Sequence, residues 1–264
     1  MIRVPHPLYA HPVPTELLDE LMANAWRPMV VETYGGWRYR WADSVTRRAN
    51  SALALNSDTS VSDLVDHAEA FYAERGAPTM IQVSTASAPH GLAAHLHARG
   101  YRSTARTLVE TATTSVVMDA TPRASVELTD EPTDEWFKVY WSVESVRGRA
   151  GKYAAVCREF LLNAGLPAAF AAARHESEVV GVGQIVFERG WAGVQCMATT
   201  AGHRRRGVAS TVLNALAAEA HRRDVTQMYL AVMAANDGAK ALYERAGFNL
   251  AHEYTYLTDH AGLP

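Results

Sequence analysis

Apolar residues recur at helical spacing in a long segment near the C-terminal end of the sequence. Val208, Val212, Leu216 and Ala220 follow one another every four residues, so their side chains form one apolar stripe. The segment closes with two arginines, which the negative end of a helix dipole favours. The pattern therefore predicts a helix over residues 208–223.

A second and shorter apolar stripe follows it. Ala239, Leu242 and Ala246 lie three or four residues apart and share one face of a helix. Gly247 comes directly after them and can adopt the left-handed conformation that commonly ends a helix. These residues predict a helix over 238–245 that stops at the glycine.

Shorter apolar runs, bounded by polar residues, predict the remaining elements and an α/β fold. In the first half we expect strands around residues 36–42 and 49–55, at 79–84 and at 107–118, with helices at 61–75 and 91–99. In the second half we expect helices near 133–147 and 152–163, and strands at 168–174, 179–187, 191–199, 227–233 and near 253–257.

The polar segment 119–125, which contains Pro122, is the predicted linker between two halves. It divides the chain into residues 1–118 and 126–264. A strand, a helix and a Gly-aromatic pair recur in both halves, with Gly100 and Gly247 offset by 247 − 100 = 147 residues. Such units are common in α/β proteins, but the order of four successive elements favours an internal duplication.

Composition narrows the classes of protein further. The 264 residues suit one large domain or two ordinary ones, and the 48% hydrophobic fraction predicts a packed core. A net charge of −3 gives no indication of a nucleic-acid or membrane partner. Only two cysteines, no signal peptide and no apolar run of ~20 residues indicate a cytoplasmic protein. The eleven histidines show no metal-ligand spacing, so we expect no metal.

The segment 199–210 leaves a predicted strand and opens the 208–223 helix. The first N–H groups of a helix have no partner within the helix and carry partial positive charge, so they bind phosphate well. Gly207 allows close backbone approach, and Arg204, Arg205 and Arg206 add positive charge. From these residues alone, a basic loop that only begins a helix is an equally good interpretation.

Two motifs resemble those of the GNAT (GCN5-related N-acetyltransferase) family. Arg204-x-x-Gly207-x-Ala209 resembles its pyrophosphate-binding signature, (Gln/Arg)-x-x-Gly-x-(Gly/Ala). The segment 236–248 resembles a second motif, Asn-x-x-Ala-x-x-Leu-Tyr-x-x-x-Gly-Phe. The resemblance covers about residues 126–257. It implies tandem acyl-CoA N-acyltransferase folds, each a mixed and mostly antiparallel sheet flanked by helices, with acetyl-CoA as co-substrate.

The resemblance also implies which residues hold acetyl-CoA. Main-chain groups of the strand before the loop would bond the pantetheine arm and the acetyl oxygen, and the loop and first helical turn would hold the pyrophosphate. Asn236 would hold the pantetheine arm from the neighbouring strand. The implied cofactor-binding residues are Met197, Ala198, Thr199, Arg204, Arg205, Arg206, Gly207, Val208, Ala209, Ser210 and Asn236.

Tyr243 is the catalytic residue that the resemblance implies, as a proton or hydrogen-bond donor to the departing CoA thiolate. A phenol has a reference pKa of about 10, so at neutral pH it is protonated and can donate. No carboxylate lies on the strand 191–199, so the general base stays open. Glu188 is a weak candidate and Glu144 a weaker one. A covalent route through Cys196 is less favoured than a buried structural cysteine.

The first half lacks the loop chemistry of the second. Residues 56–60 contain neither glycine nor arginine, and Asp58 would repel a phosphate. His95 or His97 stands near the position of Tyr243. We therefore expect a degenerate GNAT-like domain that packs on the second half and walls the acceptor cleft. For the stretches 36–42 and 46–51 there are two interpretations: paired strands with outward arginines, or a surface that faces the acceptor. The paired strands are the preferred interpretation.

The predicted function is transfer of an acetyl group from acetyl-CoA to a primary amine by direct attack. The acceptor is an amine on a small molecule or a protein, and a homodimer is left open. The alternative is an acyl-CoA-binding sensor or scaffold without catalytic activity.

Overall fold

A computed structural model describes residues 13–144, 152–162 and 165–259. The helices are α1 (Thr15–Asn24), α2 (Val61–Ala73), α3 (Leu92–Ala98), α4 (Thr114–Ala120), α5 (Asp134–Glu144), α6 (Lys152–Leu162), α7 (Val208–Arg222) and α8 (Asp237–Arg245). The strands are β1 (Val30–Tyr34), β2 (Trp37–Trp41), β3 (Ala52–Leu53), β4 (Met80–Ser84), β5 (Arg102–Thr113), β6 (Glu127–Thr129), β7 (Ala168–His175), β8 (Glu178–Glu188), β9 (Trp191–Thr199), β10 (Gln227–Met233) and β11 (Asn249–Thr258).

All strands of the described ranges join one sheet, in the order β1-β2-β3-β4-β11-β5-β10-β9-β8-β7-β6. Neighbouring strands are antiparallel except for β3 with β4 and β9 with β10, which are parallel. The mixed, mostly antiparallel α/β architecture expected from the sequence is therefore confirmed. The two expected sheets, however, are fused into one.

The last strands of the two halves change places. β11 ends the chain but pairs with β4 on one side and with β5 on the other. β5 belongs to the first half but lies between β10 and β11. Each half therefore completes the other's sheet, and residues from both halves meet where β5, β10 and β11 run side by side.

The internal repeat is visible in the element positions. α2 and α7 begin 208 − 61 = 147 residues apart, and β4 and β10 begin 227 − 80 = 147 residues apart. This is the offset of the two helix-ending glycines. At this offset the counterpart of Tyr243 is residue 243 − 147 = 96, the fully buried Leu96, rather than the expected His95 or His97. The first half therefore has an apolar side chain where the second has its phenol.

Helices cover both faces of the second-half strands. Alternate residues of β7 point to opposite sides, so Ala171 packs in the cluster formed with α7, and Phe170 packs in the cluster formed with α5 and α6. Because helices cover both faces of these strands, the strand ends are the parts on which a site can form. In the described ranges, no helix is long and apolar enough to cross a membrane.

Two predictions of local structure need correction. The strand expected over 107–118 ends at Thr113, and α4 follows, reaching into the expected linker 119–125. The Nδ2 of Asn214, on α7, donates hydrogen bonds to the carbonyls of Met118 and Thr121, so this segment is packed against the second half. The expected strand 49–55 is reduced to β3, because a 3₁₀ turn occupies Arg48–Asn50. Whether the chain divides into units at 119–125 stays a prediction.

Candidate active site

The parallel strands β9 and β10 separate halfway along their length. Their pairing runs from Trp191 with Gln227 to Val194 with Leu230, and both strands then continue unpaired with each other. At the point of separation β9 carries one more residue than its partner β8, and Cys196 there has φ = 56°. A bulge bends and twists its strand, so it directs the end of β9 away from β10.

The separated strands open onto a cavity of about 470 Å³. It brings together Met197, Asn236 and Tyr243, three of the residues proposed from the sequence. The first half and the exchanged strands also line it. These further lining residues include Trp26, Thr46, Arg47, Arg48, Ala105, Thr107, Tyr140, Glu144, Tyr254 and Tyr256.

The loop after β9 leaves the first turn of α7 uncapped. Gly207 is the residue before the helix, has φ = 84°, and offers no side chain to cap the N–H groups. Arg205 also adopts a positive φ, of 62°. Arg204, Arg205 and Arg206 are exposed, and Arg204 reaches back to the Thr199 carbonyl at 3.3 Å. The partial positive charge of the helix and three guanidinium groups therefore meet at one exposed point.

Not every residue proposed from the sequence lines the cavity. Ala198, Thr199 and the segment 204–210 lie outside its walls, just beyond the part of β9 that lines it. Val208, Ala209 and Ser210 are half-buried at the start of α7. The proposed cofactor residues thus form a continuous track, with the cavity at one end and the arginine loop at the other.

Asn236 lies at the cavity edge, just before α8. Its Oδ1 accepts a hydrogen bond from the backbone N–H of Ala239 at 3.2 Å and caps the helix. Its own backbone N–H donates to the Met233 carbonyl at 2.8 Å. Since the side-chain oxygen serves the cap, the amide nitrogen is the group that Asn236 can offer to a ligand.

Tyr243 is nearly buried, with 7% of its surface exposed, and that exposure faces the cavity. Its ring packs edge-on against Phe248, with 5.9 Å between centroids. Burial raises the pKa of the Tyr243 hydroxyl, and the nearby charge of Glu110 raises it further. The phenol therefore stays protonated well beyond neutral pH and is a hydrogen-bond donor, never a phenolate, under ordinary conditions.

The two carboxylates considered as bases occupy different places. Glu144, at the end of α5, lines the cavity. Glu188 lies outside the cavity walls, where it accepts a hydrogen bond from Asn24 at 2.8 Å and pairs with Arg189 at 3.4 Å. The structure therefore reverses the order of preference drawn from the sequence. Sequence reasoning could not see this, because the path of α5 across the sheet decides which carboxylate reaches the cavity.

Cys196 also lines the cavity, at the bulge of β9. Burial raises the pKa of its thiol, with the charge of Glu144 as a second cause. The thiol contacts the Oε1 of Gln184 at 3.6 Å. A thiol held protonated is a poor nucleophile, which agrees with the structural interpretation of this cysteine. Within the described ranges, no three His, Cys, Asp or Glu side chains are grouped to hold a metal ion.

Sequence reasoning missed the contribution of the first half and of β11. Thr46, Arg47 and Arg48 were interpreted as part of a strand with outward arginines, but they lie in a turn and line the cavity. Tyr254 and Tyr256, two residues apart on β11, also line the cavity. The alternation of the two tyrosines was a readable signal, but their partner could not be known without the exchange of strands.

Comparison with known proteins gives this arrangement its context. A family model described as "Probable histone acetyltransferase Rv0428c C-terminal" matches residues 16–257. The "Uncharacterized N-acetyltransferase YobR" of Bacillus subtilis (strain 168) is 26% identical over 249 residues, which are 90% of this chain and 96% of that protein.

Solved structures share the fold across nearly the whole chain. A GCN5-related N-acetyltransferase from Kribbella flavida superposes with a TM-score of 0.69 at 14% identity, covering 94% of this chain and 96% of that one. A tandem GNAT protein from the clavulanic acid biosynthesis pathway gives a TM-score of 0.61 at 16% identity, covering 98% and 91%. The fused sheet is therefore the architecture of a tandem acyl-CoA N-acyltransferase fold.

Proposed function

Because the chain belongs to the family described as "Probable histone acetyltransferase Rv0428c C-terminal", and is thus an acetyltransferase of the GNAT type, we propose that it transfers the acetyl group of acetyl-CoA to a primary amine held between β9 and β10. The observation that carries this proposal is the continuity of the site. An uncapped helix end with three exposed arginines leads along β9 to a cavity that contains Tyr243.

The loop end of the site fits a diphosphate. Three N–H groups at the start of α7 lack a side-chain cap, and Gly207 presents no side chain between them and an incoming anion. Arg204, Arg205 and Arg206 supply charge that no ion pair within the described ranges neutralises. A diphosphate bound here would replace water at donors that the fold leaves open.

The cavity end fits a thioester and an amine. Asn236 would donate through its amide nitrogen to the pantetheine arm, and the unpaired edge of β9 at Met197 would offer main-chain groups to the acetyl oxygen. During transfer the amine nitrogen bonds to the acetyl carbon and the carbon–sulfur bond breaks. The surplus proton of the amine leaves through Glu144, directly or through water, and sulfur departs as a thiolate.

Tyr243 would stabilise the departing thiolate by donating a hydrogen bond. Its pKa lies above that of a free phenol, whereas a thiol has a reference pKa of about 8.5. Complete proton transfer from the phenol to the thiolate would therefore be uphill. A charge-assisted hydrogen bond from a phenol that keeps its proton lowers the barrier without that cost.

The test is a direct assay of both products. The protein is incubated with acetyl-CoA and a panel of amines that includes amino acids, polyamines and lysine-containing peptides, and free CoA and acetylated amine are both quantified. Equal amounts of CoA and one acetylated amine, above the rate without protein, support the proposal. Binding of acetyl-CoA with the thioester intact for every amine would instead support a sensor. The name of the family makes lysine peptides one arm of this panel.

A further inference from the structure

Arg48, on the 3₁₀ turn before β3, contributes a guanidinium group to the cavity. Arg48 lines the cavity and takes part in none of the ion pairs within the described ranges. Its charge acts on Tyr229, Tyr254, Tyr256 and the thiol of Cys196. Burial lowers the pKa of Arg48, but the nearby tyrosines, with a hydrogen bond to Tyr254, raise it overall, so the group stays a cation. A cation that lines a cavity without an ion-pair partner leaves a charge that an anionic ligand can balance.

A second guanidinium, that of Arg40, lies within electrostatic reach of Arg48. Arg40 is 2% exposed and donates to the Ser51 carbonyl, the Ser51 hydroxyl and the Oε1 of Gln82. All three partners are uncharged, and the Nη1 of Arg40 has no partner among the described residues. Burial lowers the pKa of Arg40, and the charge of Arg48 lowers it further. The charge of Arg48, in the cavity lining, and that of Arg40, outside it, therefore repel each other.

The turn that carries Arg48 is fixed in an unusual conformation. Asp43, Ser44 and Thr46 all have positive φ, between 47° and 61°. Asn50 holds this turn: its Oδ1 accepts from two backbone N–H groups at 2.8 and 3.0 Å, and its Nδ2 donates to two carbonyls at 2.6 and 2.8 Å. Strained backbone of this kind persists only where the surroundings impose it, and it places Arg48 against the cavity.

The opposite charge lies in the same cavity. Glu144 and Arg48 both act on the thiol of Cys196, Glu144 raising its pKa and Arg48 lowering it. The bulge of β9 therefore has a carboxylate and a guanidinium within electrostatic reach. Tyr254 and Tyr256, whose rings lie 5.5 Å apart, add two phenol groups beside the guanidinium. This pattern complements a molecule with an ammonium group at one end and an anionic group at the other.

We infer that the acceptor is an amine that also carries a carboxylate, such as an α-amino acid, and that Arg48 binds the carboxylate while Glu144 faces the amine. The role of the amine rests on the proposed acetyl transfer. The carboxylate is inferred from Arg48 alone, which has no ion-pair partner among the described residues. A guanidinium binds a carboxylate through two parallel hydrogen bonds, which the tyrosine hydroxyls can extend. Arg48 is thus a specificity-determining residue supplied by the first half.

The first experiment compares acceptors that differ only in charge. α-Amino acids, their primary amides and the corresponding decarboxylated monoamines are assayed at saturating acetyl-CoA, with wild type and with Arg48→Gln. We expect the wild type to prefer acids over amides by at least ~10-fold in kcat/KM, because one charged hydrogen-bonded pair is worth about that factor or more. In Arg48→Gln the preference should fall to about 1, with the Kd for acetyl-CoA unchanged.

The second experiment needs no turnover. Calorimetry measures binding of N-acetyl amino acids, which carry the carboxylate without the ammonium, to wild type and to Arg48→Gln. Binding lost in the variant supports the carboxylate site. If no amine is acetylated while this binding is present, the proposed transfer fails and the anion site stands. Acetylation of amides or monoamines as readily as acids, or an acid preference that survives in Arg48→Gln, overturns the inference and leaves the transfer intact.

The matched control is Arg102→Gln. Arg102 is an exposed arginine at the start of β5, outside the cavity walls. The variant loses the same charge and should keep both the preference for acids and the binding of N-acetyl amino acids.

Discussion

Gly207 occupies in the second half the position that Ser60 occupies in the first, 207 − 60 = 147 residues earlier, and the two treat the following helix in opposite ways. The Ser60 hydroxyl accepts a hydrogen bond from the N–H of Asp63 at 3.2 Å and caps α2. Gly207 has no side chain and leaves α7 open. In the first half a side chain of the repeated unit therefore caps the N–H groups at the start of the helix. In the second half no side chain does so, and these N–H groups are available to a ligand.

The loops beside these two positions differ in the same sense. A second pocket of the first half is lined by Gly35, Gly36 and residues 56–59, among which Asp58 carries a negative charge. In the first half, Asp58 stands in place of the arginines of the second half, and the Ser60 hydroxyl caps α2, whereas Gly207 leaves α7 open. We therefore expect acetyl-CoA to bind only to the second half. The first half is thus predicted to be degenerate in its phosphate-binding loop. It still contributes residues to the cavity that the two halves share.

Removal of the Tyr243 hydroxyl should slow turnover more than it weakens binding. In Tyr243→Phe we expect kcat to fall by about 10- to 100-fold, the value of one charge-assisted hydrogen bond of ~1.5–3 kcal/mol, with KM for acetyl-CoA within about twofold. Steady-state kinetics measure both. Tyr72→Phe is the control, since it removes a buried hydroxyl that donates to the Arg40 carbonyl in the first half. An unchanged kcat would remove Tyr243 from the chemistry.

The pH profile provides a separate test of Tyr243. Burial raises its pKa above the ordinary value of about 10, so the protonated, donating form persists as pH rises. Turnover should therefore show no loss of this donor up to about pH 10. Wild type and Tyr243→Phe should have pH profiles of the same shape, differing only in height. A fall in kcat between about pH 8 and 9.5 that is absent from the variant would show that Tyr243 ionises in that range.

Glu144 and Glu188 can be separated by a pair of matched substitutions. We expect Glu144→Gln to lower kcat/KM for the amine by about 10- to 100-fold at neutral pH, within the lower range of general-base catalysis. The deficit should shrink as pH approaches about 10, where the amine loses its proton without help. Glu188→Gln should leave kcat/KM within about twofold, because its side chain is bonded to Asn24 outside the cavity. The opposite ranking would restore the preference drawn from the sequence.

Asn50 should matter for the acceptor and not for acetyl-CoA. In Asn50→Ala four backbone groups of the 42–46 turn lose their partners, and we expect a loss of about 1–3 kcal/mol in the free energy of unfolding. The acceptor KM should rise several-fold as Arg48 loses its fixed position, with an unchanged Kd for acetyl-CoA. Asn249→Ala is the control, since this exposed amide makes one bond to the Gly247 carbonyl. Equal acceptor KM values in the two variants would contradict the positioning role.

The sequence predicted α7, α8 and the loop between β9 and α7 well, because their signals are local. Periodic apolar residues define the helices, and Gly207 and Gly247 both adopt the positive φ that glycine favours. The exchange of β5 and β11 could not be predicted in this way. The partners of β11 lie between 249 − 111 = 138 and 258 − 80 = 178 residues away in the sequence. The local pattern of a strand does not indicate which strands pair with it.

The orientation of Arg48 escaped prediction for a different reason. Its turn depends on positive φ at Asp43, Ser44 and Thr46, which is uncommon for residues other than glycine. Of these three, Thr46 was expected in an extended stretch. Only the set of hydrogen bonds made by Asn50 reveals why that backbone is stable. Arg47 and Arg48 could therefore be recognised in the sequence as a distinctive pair, but tertiary structure decides that they line the cavity.

The central claim is that the open end of α7 at Gly207 binds acetyl-CoA, and calorimetry of acetyl-CoA binding to Gly207→Glu tests it most directly. The matched control is Gly91→Glu. Gly91 precedes α3 with φ = 83°, against 84° for Gly207, and an added Cβ meets open space at both positions. The two variants therefore share the backbone strain and the added charge. We predict that Gly207→Glu weakens binding at least ~10-fold, about 1.4 kcal/mol, while Gly91→Glu binds as wild type does. Equal affinity of both variants, or no binding to wild type, would contradict the account.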